Sequence, residues 1–282
     1  MNAVEPPAHV LATFGLRSVQ PVPLDDWGGA WRCGDLLLTP VADHARAAWS
    51  AKVRESLRVD GVRLARPVRG TDGRYVVSGW RADTHIAGTA EPRYDEVVSL
   101  SLRLHQATAS LERPRFLGAQ PLSPWGEIDV FAVADNAAWD PAPARSVQAA
   151  GGVGTTPDCR RSLELLVQLS TLRRPVQAAP QLVHGDLFGT VLFAGPAEPG
   201  LTDLTPYWRP VVWAAAVIVV DAVSWGGADA GLLDRWSDLP EWPQMLLRAV
   251  LFRLAVHTLH PRSTPDALAG LAHTADMIRL RL

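Results

Sequence analysis

Residues Gln181–Phe193 read QLVHGDLFGTVLF, and Leu201–Pro210 read LTDLTPYWRP. In the first stretch the apolar pair Leu182-Val183 runs straight into His184-Gly185-Asp186. A second carboxylate, Asp203, follows behind another short apolar approach. Short apolar runs bounded by glycine and polar residues are strand signals, so both acids are expected at strand ends. Neighbouring short strands commonly pair, which sets the residues that follow them side by side. Two carboxylates placed that way suit phosphoryl transfer, where one acid orients an acceptor hydroxyl and the other holds a magnesium ion. Taken singly, each acid has a plainer reading. Asp186 could cap loop amides, and Asp203 could close a turn with Pro206.

Upstream, Gly29–Val41 (GAWRCGDLLLTPV) reads as a hairpin with its turn at Cys33-Gly34-Asp35. Asp43 is a candidate N-cap for a helix running to Leu57, with Ala45, Ala48, Trp49, Val53 and Leu57 along one face. A second hairpin is expected from VRLARPVRG and RYVVSGW around Thr71-Asp72-Gly73. Together these predict a five-stranded antiparallel sheet carrying one helix. The polar stretch RADTHIAGTAEP, Arg81–Pro92, reads as a connector. Beyond it the periodicity is mainly helical: Tyr94–Leu111, Arg161–Leu172, the all-round apolar VVWAAAVIVVDAVSW, and two amphipathic segments at the carboxyl end. The Ala/Pro/Gly-rich run AWDPAPARSVQAAGGVGTT is expected to be a mobile loop. The fold class is therefore α+β. The expected organisation is a sheet lobe over 1–82, a hinge over 83–92 and a helical lobe over 93–282 carrying both acidic motifs.

Bulk properties narrow the function. The chain of 282 residues is 48% hydrophobic and 20% charged, with a net charge of −2. That leaves no basic face of the kind nucleic acid requires. The longest apolar run, Val211–Val220, is too short to span a bilayer. The amino terminus lacks the pattern of a signal peptide. Cys33 and Cys159 have neither metal-ligand nor redox spacing. A cytoplasmic, reduced protein with no nucleic-acid or membrane partner is the expectation. Lys52 is the only lysine, against 26 arginines.

With LATFGL near the start, AWRCGDLLLTPV, RLARPV, LVHGDLFGTVLF and PYWRP, the chain resembles the aminoglycoside phosphotransferase branch of the protein-kinase-like fold. More narrowly, it is similar to an actinobacterial group within that branch. The resemblance extends over nearly the whole chain. It implies a two-lobed fold with ATP and magnesium as cofactors. It makes Asp186 the acid that orients or deprotonates the acceptor hydroxyl and Asp203 the magnesium ligand. His184 and Gly185 would support the loop.

Two positions depart from the family pattern. Thr39 stands where relatives carry a phosphate-anchoring lysine, and a neutral hydroxyl supplies no charge to phosphates. Thr190 falls near the place of a metal-binding asparagine. Lys52, or a nearby arginine such as Arg32, is the candidate replacement for the missing cation beside Thr39. Gly28 and Gly29, within DDWGGA, are candidates for a nucleotide-covering loop, although Asp25 and Asp26 would repel phosphates. Two readings follow. One is a small-molecule kinase; the other is a catalytically degenerate kinase-like protein that binds a ligand or partner.

Overall fold

The computed structural model describes residues 4–24, 29–118, 129–149 and 156–282. The chain forms two compact units, Met1–Glu91 with Gly189–Pro206, and Pro92–Phe188 with Tyr207–Leu282. The first unit opens with α1 (Ala8–Thr13), β1 (Val22–Pro23), β2 (Trp31–Cys33) and β3 (Leu36–Pro40). It continues with α2 (His44–Ser56), β4 (Arg63–Leu64), β5 (Pro67–Val68), β6 (Val76–Val77) and β7 (Trp80–Thr84). Six strands form an antiparallel sheet in the order β1-β2-β3-β7-β5, with β6 also paired to β7.

The β2–β3 hairpin turns where the sequence places it. The second expected hairpin does not form as read, because β5 and β6 each pair with β7 and not with one another. The sheet thus has six strands, one more than expected. Arg81–Thr84, expected as connector, completes the central strand β7. Its outer-face residues Trp80 and Ala82 join a core with Leu38 of β3, Val10 of α1 and Phe14 directly after α1. Arg81 and Asp83 alternate with them onto the inner face. Their polarity hides the strand from a hydrophobicity reading.

Helix α2 is capped by Asp43, whose carboxylate accepts from the Arg46 N–H at 3.0 Å. Its buried residues are Ala47, Ser50, Ala51 and Arg54, at helical spacing. This is not the expected face, since Ala45 and Ala48 are exposed and Trp49 and Val53 only half-buried. The inner face against which it lies carries charge, so the buried helix positions are small or polar.

The second unit continues with α3 (Tyr94–Ala107), α4 (Val130–Trp139), α5 (Pro143–Ala149), α6 (Pro157–Ser170) and β8 (Gln181–His184). Residues Pro143–Ala149, expected within a mobile loop, are helical; 150–155 lie outside the described residues. The chain then rejoins the first unit as β9 (Val191–Leu192) and β10 (Gly200–Leu201). There β10 pairs parallel with β4 and antiparallel with β9. It ends through β11 (Pro206–Arg209), α7 (Val211–Trp225), α8 (Leu232–Arg235), α9 (Trp242–Leu259) and α10 (Pro265–Arg279). Val212–Ala222 of α7 are buried without a break, as its all-round apolar sequence requires. Among the described residues no helix is long and apolar enough to cross a membrane.

Candidate functional site

Strand β8 pairs with β11 and delivers the His-Gly-Asp loop at its end. The loop is fixed from behind by α3. The buried His105 ring accepts the His184 N–H on Nε2 at 2.8 Å and lies 3.3 Å from Ser101 Oγ on its Nδ1 side. Thr108 Oγ1 donates to the Leu182 carbonyl at 3.1 Å. Burial, reinforced by the neighbouring His184, pushes His105 down to about 3, so at neutral pH it is the uncharged acceptor this arrangement needs. His184, also buried, accepts the Asp186 N–H on Nδ1 at 3.1 Å. The two imidazoles therefore brace the loop in series. A Cβ on Gly185 would fall well inside contact distance of the Tyr207 ring. That ring cannot yield, because it packs on Trp213 and Phe252.

Asp186 itself is presented outward, with 46% of its side chain exposed. Its Oδ1 lies 3.3 Å from Arg253 Nη2. Arg253, nearly buried on α9, is fully engaged with Asp221 of α7, through Nε to Oδ1 at 2.7 Å and through Nη2 to Oδ2. Burial pushes Asp221 up to about 6 against the pull of Arg253. For Arg253 burial opposes the charge, and Asp221 and Asp186 outweigh it. A fixed positive charge thus stands behind Asp186. Neither Arg253 nor Asp221 was singled out from sequence.

Asp203 belongs to a different cluster, within the first unit. Arg81 Nη2 donates to its Oδ2 at 2.7 Å, Ser50 Oγ to its Oδ1 at 3.0 Å, and the Leu204 N–H to Oδ1 at 2.7 Å. Arg54 Nε lies 3.6 Å away. The same two arginines hold Asp83, Arg54 Nη1 at 2.8 Å and Arg81 Nε at 3.3 Å. Two guanidiniums and two carboxylates alternate in a closed, neutral ring. Burial would raise the Asp203 carboxyl, but Arg81 and Arg54 overcome it and hold it well below the usual carboxylate range.

Thr39 pairs across the sheet with Arg81, so the two side chains share the inner face. Lys52 is exposed on α2, and the buried cation of that helix is Arg54. Arg32 is exposed and donates to the Gly34 carbonyl at 3.1 Å. Thr190 sits in the turn that enters β9, and Gly29 in the turn before β2. Gly28, Asp25 and Asp26 lie outside the described residues.

Asp203 offers a carboxylate, the kind of oxygen donor that a magnesium ion takes. Among the described residues no three His, Cys, Asp or Glu are gathered into a metal cage. Magnesium does not need one, since it binds through one or two carboxylates with waters and substrate phosphates. The ring is neutral and already holds two cations, so a free dication gains little there. The donor set fits a metal that arrives with a polyphosphate.

No protein-family model matches the sequence, and no curated protein matches it. Among solved structures, the chain is similar to a microcompartment-associated aminopropanol kinase, at 16% identity and TM-score 0.60, covering 96% of this chain and 94% of the other. A thermostable aminoglycoside phosphotransferase solved with AMP-PNP and hygromycin B matches at 12% identity and TM-score 0.56, covering 96% of each chain. A spectinomycin phosphotransferase in complex with ADP and spectinomycin matches at 8% identity and TM-score 0.50, covering 89% and 87%. Identities this low establish architecture alone. The chain has the α+β fold, antiparallel sheet and mainly helical remainder, shared by these protein-kinase-like small-molecule phosphotransferases.

Proposed function

We propose that this protein transfers a phosphoryl group from ATP to the hydroxyl of a small molecule. The observation that carries the reading is the presentation of Asp186. It is a half-exposed carboxylate held by a loop whose His184 is buried and hydrogen-bonded on both sides. A carboxylate so placed can accept the proton of an acceptor hydroxyl or orient it, while the Arg253 contact fixes its direction. Phosphoryl transfer asks the protein for positioning and charge neutralisation more than for covalent chemistry. Asp203 is the residue that would hold magnesium, which when bound neutralises charge on the transferring group. Thr190 is the second candidate on that side.

The test is ADP release and product phosphorylation with a panel of amino alcohols, aminoglycosides and spectinomycin, the acceptor classes of the structural neighbours. Acceptor-dependent phosphorylation that disappears in Asp186→Asn supports the proposal. Phosphorylation that persists in that variant sinks the role of Asp186. The closed ring around Asp203, with threonines at 39 and 190, favours a second reading, a kinase-fold ligand-binding protein without turnover. Saturable ATP or acceptor binding with no transfer to any of the panel selects it.

A further inference from the structure

We infer that Arg81 is the phosphate-anchoring cation of this protein, supplied from β7 to the inner-face position that Thr39 leaves uncharged on β3. The inference rests on the reading of the chain as one that handles a nucleoside triphosphate, and it assigns the residue that grips the polyphosphate. Thr39 and Arg81 are cross-strand partners, so the guanidinium rises from the same face beside the threonine hydroxyl. The opposite face, with Leu38, Trp80 and Ala82, is closed in the core. Arg81 is not sealed, since 16% of its side chain is exposed. Its contacts to Asp83 and Asp203 are made by Nε and Nη2, and a guanidinium has five N–H donors in a planar fork that suits phosphate oxygens. Arg54, in the same ring, has a buried Nη2 with no hydrogen-bond acceptor among the described residues.

Exchange of partners is feasible here. If Arg81 gives up Asp203 for phosphate oxygens, it replaces one charge-assisted pair with another. Asp203 then keeps Ser50, the Leu204 N–H and Arg54, and Asp83 keeps Arg54. The other candidate cations fit less well. Lys52 is exposed on α2, and Arg32 is turned to the Gly34 carbonyl.

The experiment is calorimetric titration of ATP, and of inorganic triphosphate, into wild type and into R81Q, R81K, K52A and the double variant R81Q/T39K. Loss of the guanidinium should weaken triphosphate binding about 10- to 100-fold. R81K should retain part of it, and R81Q/T39K should recover part by returning a cation from the neighbouring strand. A merely structural role for Arg81 predicts no such recovery, because an ammonium at position 39 would not rebuild the ring. R81Q leaves Asp83 and Asp203 with Arg54 as their shared guanidinium and can loosen the ring, so thermal unfolding is recorded for every variant; if R81Q does not fold, R81K, which keeps a cation at position 81, decides the matter. ATP binding that is equal in wild type and folded R81Q, or that falls in K52A instead, overturns the assignment and leaves the kinase reading standing. Arg81-dependent ATP binding without transfer to any acceptor upholds the assignment while the kinase reading falls. No binding of ATP or triphosphate by the wild type overturns both.

Discussion

Acid should weaken this protein through one buried imidazole, and the size of the effect can be worked out. His105 is fully buried, its Nε2 holds the His184 N–H, and its folded-state value is about 3 against an ordinary 6.5. The sign follows from proton counts. Between those two values the unfolded chain binds a proton that the native state refuses, so stability is complete above the ordinary value and declines as pH falls toward the folded one. Each pH unit in that window removes about 1.4 kcal/mol. From about pH 7 to about pH 5 the loss is roughly 2 kcal/mol, which for a chain of this size lowers Tm by about 3 °C. The measurement is thermal unfolding across that range for wild type and His105→Gln. The glutamine amide can accept an N–H but does not titrate. The variant should be less stable at neutral pH yet lose about 3 °C less on acidification. Asp221 works in the opposite sense, since a carboxyl raised to about 6 contributes stability in acid and loses it as pH rises; it is common to both proteins and cancels. Parallel Tm-against-pH curves for the two proteins would refute the reasoning.

Arg253→Leu, which leaves Asp221 buried without its cation, should cost about 3–5 kcal/mol in denaturant unfolding, and an unchanged midpoint would show that the pair is not a structural unit. Gly185→Ala drives a methyl into the Tyr207 ring and should cost about 1–3 kcal/mol by the same assay. Asp186→Asn should leave stability within about 1 kcal/mol, because the group is half-exposed, while lowering any transfer rate about 10²- to 10⁴-fold. Equal losses of stability and rate in that variant would mark Asp186 as a loop cap.

What could be read from the sequence was whatever expressed itself as hydrophobic period or cap chemistry. Helix α7 announces itself because every residue from Val212 to Ala222 is buried and apolar or small save Asp221. The β2–β3 turn is marked by Gly34, and the start of α2 by Asp43, whose carboxylate does accept the Arg46 N–H. The misreadings share one cause. Strand β7 reads as connector and the buried face of α2 reads nearly half a turn away, because both bury charge where a hydrophobic pattern is sought. Ser50, Arg54, Arg81 and Asp83 look like surface letters, and they are interior because the charges pair with one another and Ser50 bonds to Arg54.

The same physics explains which part of the candidate site was legible. Asp186 and Asp203 could be picked out because each follows an apolar approach in a local motif. Arg54, Arg81 and Arg253 could not, since nothing local separates 3 arginines from the other 23. Once the ring is in view, Thr39 has a reason to be neutral. Arg54 and Arg81 already balance Asp83 and Asp203, so a lysine at position 39 beside Arg81 would add an uncompensated third cation to a largely buried cluster. A lysine would replace Arg81 in it only in part. One guanidinium contacts two carboxylates there through separate nitrogens, Nε to Asp83 and Nη2 to Asp203, whereas an ammonium is a single point of charge. The threonine is therefore the complement of an arginine one strand away.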